Sequence, residues 1–500
     1  MRLLARFVRS AALLTSIALA ACAQNGAREL PAEELARLDT EATTCAKLLA
    51  RADAAIARAR ASDAMTTRIA GFPYLRVNRF LASYRAQPMD QARYAEWVSR
   101  MSALADEGYA VEVANLPPDA RAQLVESTRP RSVEQALSSC VERLREGDAA
   151  LPARALALHA AARVPDDYAD WKRIVGVYYL TRIPFAAGVR RNQEQLQALF
   201  EQPLDRSPSQ RIRYQATASA LDPDQVAALM SAQRRSALGI AELNDAELAA
   251  LFATYAPVFE IDTSSSADQL GALTWAGALA AVDTAEPVVY THASHVRMQG
   301  RALLQLNYVA WFPARPKTGV FDLLGGHLDG LTWRVTLDEQ GAPLLFDSMH
   351  NCGCYHLYVP TGRVSVRPLA ASWEESAWVP QALDRVSALD RLTLRAEATS
   401  HYLYRVLVND RSAVPLRNYE LRPYRELRTL ARADGTRRNV FDEQGIIRGS
   451  ERLERFFFWP MGIAEPGAMR ILGRHATAFV GLRHFDDSDL LEHSFLLSQP

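Results

Sequence analysis

Seven consecutive residues, His350-Asn351-Cys352-Gly353-Cys354-Tyr355-His356, hold two of the chain's five cysteines and two of its ten histidines. Thiolates and imidazoles bind soft metals, and a thiol beside a base runs nucleophilic or redox chemistry. His350, Cys352, Cys354 and His356 alternate, so a straight strand would carry all four on one face. At about 3.3 Å per residue the outer two would stand roughly 20 Å apart. One ion with ligand bonds of roughly 2.0 to 2.3 Å cannot gather them across that span. The segment is therefore expected to turn, and Asn351 and Gly353 are residue types that turn a chain. A Cys352–Cys354 disulfide makes a similar demand, with Cα atoms within about 6.8 Å. The spacing is not the Cys-x-x-Cys-His of covalent haem attachment.

A hairpin must position this segment. Leu331 to Leu337 and Leu344 to Met349 read as strands flanking Asp338-Glu339-Gln340-Gly341, where Gly supplies a positive φ. Pairing about Gln340 brings His327 opposite Gly353 and Asp329 opposite Asn351, within a residue or two. The expected site is thus Cys352, Cys354, His350, His356 and His327, with Asp329 as a further ligand or as the partner that orients a histidine. That donor set suits Zn²⁺ or copper. The same thiols also read as a disulfide, the more frequent state of such a pair in an oxidising compartment, or as a catalytic thiolate with His327 or His484 as base. A second cluster runs from Gly473 to Asp487. There a strand over Ala476 to Leu482 would put His475 and His484 on opposite faces and pair His484 with Asp486. Isolated histidines such as His159, His292, His401 and His493 read as surface or satisfied core residues. Trp373, Trp378 and Trp459 line a groove or pack a core. The chain has no His-Glu-x-x-His, no Gly-x-Ser-x-Gly, no phosphate-binding Gly loop and no Gly-x-Gly-x-x-Gly after a strand.

Two periodicities divide the chain. Residues 31–255 show apolar positions at three- and four-residue spacing, as in Leu38, Cys45, Leu48 and Leu49, in Val133, Leu137, Val141 and Leu144, and in Trp171, Ile174, Val175 and Tyr178. Ser132 with Gln135, and Asp222 with Gln225, match capping boxes. Residues 256–500 are strand-rich. Val258 to Ile261, Leu303 to Phe312, Arg391 to Ala396 and Tyr402 to Val408 read as strands, and Ala267 to Val282 as an Ala-rich helix. The expected fold class is α+β: an N-terminal all-α domain, then a β-rich α+β domain with antiparallel hairpins.

The N-terminus supplies an address. Arg2, Arg6 and Arg9 precede a short apolar run, and Leu19-Ala20-Ala21-Cys22 resembles the lipobox of bacterial lipoproteins. The resemblance implies a signal peptide over 1–21, acylation of Cys22 and a tether over 22–30. Ala23, in place of Asp, implies the outer membrane, with the protein on its periplasmic face. Several acyl chains on one residue anchor stably. With Cys22 acylated, four cysteines remain for an oxidising compartment. Cys45 and Cys140 both fall on helical patterns and are paired, leaving Cys352 and Cys354 to each other or to a metal. The 57 basic residues fall to 54 without the three signal arginines, against 57 acidic, so the processed chain is close to neutral. No basic stripe points to nucleic acid. The three lysines, Lys47, Lys172 and Lys317, weaken Schiff-base and Ser–Lys mechanisms. Ile174 to Val189 is the most apolar long stretch, but Arg182 and Pro184 interrupt it as a membrane span. Three functions follow: a lipid-anchored metal-binding protein, an envelope protein that holds a partner protein and has only disulfides, or a cysteine-dependent hydrolase or redox enzyme.

Overall fold

The computed structural model describes residues 30–128, 131–148, 152–203, 210–217, 219–319, 322–367 and 374–498. The signal segment, Cys22, nearly all of the tether and Trp373 lie outside them. The chain forms two compact units, one of residues up to 61 with 66–164, the other of 62–65 with 165–500.

The first unit is helical. Helices α1 (Thr40–Ala59), α2 (Gln91–Ala114), α3 (Pro118–Thr128), α4 (Val133–Asp148) and α5 (Pro152–Ala161) accompany a short hairpin, β1 (Thr67–Ile69) with β2 (Phe72–Val77). Asp39 caps α1, and the Ser132–Gln135 capping box opens α4 as expected. Cys45 and Cys140 form a disulfide between α1 and α4 with Cα atoms 4.9 Å apart. The hairpin interrupts the helical pattern because Arg76 turns inward to Glu112 of α2, both fully buried, while Arg68 joins Glu112 to Asp53. A Cβ at Gly108 would meet the Arg76 guanidinium at 2.2 Å, so glycine makes the room for that charge.

The second unit begins at Pro165, well before residue 256, where the sequence periodicity changes. Its helices are α6 (Asp170–Val175), α7 (Tyr178–Phe200), α8 (Pro223–Ala232) and α9 (Asp245–Thr254). Phe200, Val226, Met230, Leu251 and Phe252 from α7, α8 and α9 bury against the sheet, which draws these helices into the β-rich unit. The sheet strands are β3 (Arg211–Ala216), β4 (Val258–Asp262), β7 (Val288–Met298), β8 (Arg301–Arg315), β9 (Gly326–Leu337), β10 (Pro343–His350), β11 (Leu357–Pro360), β12 (Leu392–Ala396), β13 (Leu403–Val408) and β14 (Leu416–Pro423). Their order is β11-β10-β9-β8-β7-β14-β3-β4-β12-β13. One side is an antiparallel meander from β7 to β11, and parallel pairs of β14 with β7 and with β3 join it to the rest.

Both faces of the meander are covered. On β8, Leu306, Tyr308 and Phe312 enter one core while Val309 and Trp311 enter another. Gln305 and Asn307, polar residues on the same strand, are buried and satisfied by Thr336, Ser294 and the His292 carbonyl. The expected helix over Ala267 to Val282 is instead a hairpin, β5 (Ala272–Ala276) with β6 (Leu279–Asp283). Gly277, at φ +64°, makes its turn, and strand pairing overrides the helix propensity of the alanines. The expected strand over Ala476 to Leu482 reduces to one bridge, Ala476 with His484, around Gly481 at φ +120°. The two Asp-Glu-Gln-Gly turns share one chemistry. Asp338 Oδ1 accepts from the Gln340 and Ala342 amides, and Asp442 Oδ1 accepts from those of Gln444 and Ile446. Among the described residues no helix is long and apolar enough to cross a membrane.

Candidate functional site

The Cys-Gly-Cys segment is the turn at the end of β10. The Gly353 amide donates to the His350 carbonyl (2.7 Å) and the His350 amide to the Cys354 carbonyl (3.0 Å). Asn351 locks the bend from inside the protein. Its amide donates to the Gly330 carbonyl (2.9 Å), its side-chain amide to the Ala310 carbonyl (3.1 Å), and its Oδ1 accepts from Thr332 (2.7 Å). Gly353 sits at φ +92°, where a Cβ would come within 2.8 Å of the Ala476 carbonyl. The bend expected at Asn351 to Gly353 is thus present, with side-chain and steric causes.

The turn brings the two thiols together. Cys352 and Cys354 are unbridged and lie two residues apart on the turn, Cys352 in the core and Cys354 partly exposed. The neighbouring Cys352 thiol, reinforced by burial and by the charge of Glu454, pushes the Cys354 thiol well above its ordinary range. The buried guanidinium of Arg470 acts on Cys354 in the opposite sense, and the Arg470 backbone amide donates to the Asn351 carbonyl at 2.9 Å.

The other expected ligands go to separate places. A bulge between Pro343 and Leu345 shifts the hairpin register by one residue, pairing His350 with Leu331. Asp329, two residues from Leu331, therefore shares the His350 face and lies 3.6 Å from its Nδ1. His327 does not follow, because Leu328 takes φ +57° and breaks the alternation. The His327 ring instead meets the Ala280 carbonyl at 2.6 Å, on β6. His356 pairs with Asp347 (2.9 Å), which is also gripped in a two-pronged ion pair by Arg334. Burial lowers the His356 pKa to about 4, so at neutral pH it is an uncharged hydrogen-bonding group. His484 is held by Asp166 (3.1 Å) and Asp487 (3.3 Å). Among the described residues, no group of three or more His, Cys, Asp or Glu side chains is arranged to hold a metal ion.

A buried charge relay, with partners that no local motif announces, lies beside the turn. His401, set aside from sequence as an isolated histidine, bridges Asp329 (2.8 Å) and Asp268 (3.3 Å) and stacks on Phe312 at 4.0 Å. Burial works against its charge, but the two carboxylates outweigh burial and raise its pKa. Against burial, the hydrogen bond from His401 and the nearby His350 ring hold Asp329 well below the usual carboxylate range. His350 itself is lowered by burial, and its Nε2 is buried without a hydrogen-bond partner between the rings of Tyr355 and Tyr402. The two carboxylates therefore favour charge on His401, while burial disfavours it on His350 at the other side of Asp329.

Cys354 also lines a cavity of about 430 Å³, a size that suits a small molecule. One wall is α7, through Phe185, Val189 and Leu196, and Trp378, Phe458 and Phe479 add further apolar surface. Polar groups gather with Cys354: Tyr355, His356, Glu375, Glu454, Thr477 and Arg483. Glu375 is occupied, accepting from the amides of Phe479 (2.7 Å) and Val480 (2.8 Å). Burial pushes the Glu454 carboxyl up to about 7 against the pull of Arg452 and Arg315. A carboxyl that titrates near neutrality beside a thiol is suited to proton transfer. Trp378 thus belongs to a groove, as one of the two sequence readings has it. Glu454 and Arg483 carry no sequence signal, since each comes from a loop remote from the turn. Comparison with known proteins finds no match to this chain among family models, curated proteins or solved structures.

Proposed function

We propose that the protein is a lipid-anchored envelope protein whose larger unit performs thiol–disulfide exchange on a small, mainly apolar disulfide. Cys354 is the attacking sulfur and Cys352 the resolving one. The observation that carries this reading is the pair itself: two unbridged cysteines on one turn, one of them lining a ligand-sized cavity. Support also comes from Glu454 in the same cavity, and from the apolar wall, which favours a ligand with an apolar body. The lipobox-like Leu19-Ala20-Ala21-Cys22 supports the membrane address.

In this exchange the Cys354 thiol gives its proton to the Glu454 carboxylate, and its sulfur bonds to one sulfur of the ligand. The ligand S–S bond breaks, and the leaving sulfur takes the proton from Glu454. The Cys352 sulfur then bonds to the Cys354 sulfur and expels the second ligand thiol, which leaves with the Cys352 proton. Two electrons and two protons pass from the protein dithiol to the ligand disulfide. Because Cys354 is held protonated at rest, the first step depends on proton removal within the cavity.

The metal reading has less support, since His327 and His356 are committed to other partners. The test uses 4,4′-dithiodipyridine, a flat aromatic disulfide. Unsubstituted protein is expected to release two thiopyridones per chain. Cys352→Ser should release one and stop at a mixed disulfide, and Cys354→Ser should react at least tenfold more slowly. Equal rates for Cys354→Ser and the unsubstituted protein would overturn the assignment. So would purified protein that carries stoichiometric zinc or copper and releases no thiopyridone.

A further inference from the structure

The stretch from Trp171 to Ile183 has a helical pattern of apolar residues that ordinarily marks a buried stripe. It is not buried. Trp171, Ile174, Val175, Leu180 and Ile183 are all exposed, Ile174 at 76% and Leu180 at 67%. The left-handed Val177, at φ +49°, separates α6 from α7 and leaves both apolar ends facing outward. Phe456 and Phe457, also exposed, extend the surface. The two segments form one face, because the Arg173 guanidinium donates to the Met461 carbonyl (2.8 Å) and the Phe185 ring meets that of Phe458 edge-on at 5.5 Å. Gly176 allows the approach, since a Cβ there would lie 2.6 Å from Pro460.

Charge identifies what covers this face. From Asp170, the first residue of α6, to Gln193 the chain has five basic residues, Lys172, Arg173, Arg182, Arg190 and Arg191, against one acidic, Asp170. Arg182 lies over the ring of the exposed Tyr179, its guanidinium carbon 5.1 Å from the ring centre. Exposed aliphatic side chains, amphipathic Trp and Tyr, and a predominantly basic rim are the composition of a segment that lies in a bilayer interface. A protein partner of the same size would not require this excess of positive charge, whereas an anionic headgroup layer favours it.

We infer that the face built from α6, the start of α7 and Phe456–Phe457 docks on the surface of an anionic phospholipid bilayer. The contact is separate from any acyl anchor at Cys22 and independent of the thiol chemistry. Apolar side chains enter the headgroup boundary while the arginines stay at the phosphates.

The test uses the processed chain from residue 22 carrying Cys22→Ala, so that no acyl group is attached. It is sedimented with vesicles of phosphatidylethanolamine and phosphatidylglycerol, and with vesicles of phosphatidylcholine alone. The expected result is binding to the anionic vesicles that weakens as salt rises. The double substitution Leu180→Asp with Ile183→Asp should reduce binding roughly tenfold or more, with the thermal unfolding midpoint and thiopyridone release unchanged because both side chains are exposed. Absence of vesicle binding, equal binding by the doubly substituted chain, or equal binding to neutral vesicles would overturn the inference. Concentration-dependent self-association abolished by the same substitutions, without vesicle binding, would assign the face to a second copy and also overturn it.

Discussion

Glu454 is the residue whose environment departs most usefully from its type. Its folded pKa of about 7 lies above the ordinary carboxyl value of 4.5, and burial is the cause. A raised folded pKa means that the associated stability is fully present below about pH 4.5 and is lost as pH rises through 7. Glu454→Gln should therefore stabilise the protein at pH 8 relative to pH 5, by up to about 2 to 3 kcal/mol. Denaturant unfolding at the two pH values checks this, and a substitution effect that does not change with pH would contradict it. The same substitution should slow the first thiopyridone release, because the base is gone. His356 and Glu454 also show what local patterns leave out. His356 looked like a ligand because of its neighbours in sequence. Its function is set by Asp347 and Arg334, which strand pairing brings to it. Glu454 has no local pattern at all and acquires its character only through burial beside Cys354.

At the scale of elements, the hairpin was the most legible part of the chain. Alternation in Leu331 to Leu337 and Leu344 to Met349, with Gly341 closing the turn, is a local signal, and the observed strands follow it. The register was legible to within a residue, since the bulge after Pro343 carries no sequence mark of its own. Leu328 was not legible: a leucine at φ +57° is a tertiary imposition, and it sends His327 to β6. Helical periodicity through Trp171, Ile174, Val175 and Tyr178 runs across the break at Val177 that separates α6 from α7, and periodicity does not report which medium covers the apolar side. The Cys-Gly-Cys turn yields a further expectation. Gly353→Ala forces an L side chain into φ +92° and against the Ala476 carbonyl, so it should cost roughly 1 to 3 kcal/mol in the folded state. Thermal unfolding measures that cost, and an unchanged midpoint would mean that the turn is not held as described.

Across the whole molecule, cysteine chemistry is divided between the two units. Cys45 and Cys140 close a loop across a sequence separation of 95 in the helical unit, which contributes about 4 to 5 kcal/mol on the chain-entropy model. Helical spacing made that pair legible. Cys352 and Cys354 remain thiols in the unit that carries the sheet, the charge relay and the cavity. The α+β class was legible from the change in periodicity. The placement of the helices after Pro165 with the sheet was not, because it depends on where Phe200, Met230 and Phe252 find their core. One measurement tests the central claim directly. Native protein is treated with one equivalent of 4,4′-dithiodipyridine, quenched with acid and alkylating reagent, digested and weighed by mass spectrometry. The account predicts a peptide bridged internally between Cys352 and Cys354, two hydrogens lighter than the dithiol, beside an unchanged Cys45–Cys140 bridge. An unreacted dithiol peptide, or a stable thiopyridyl adduct with no internal bridge, would contradict it.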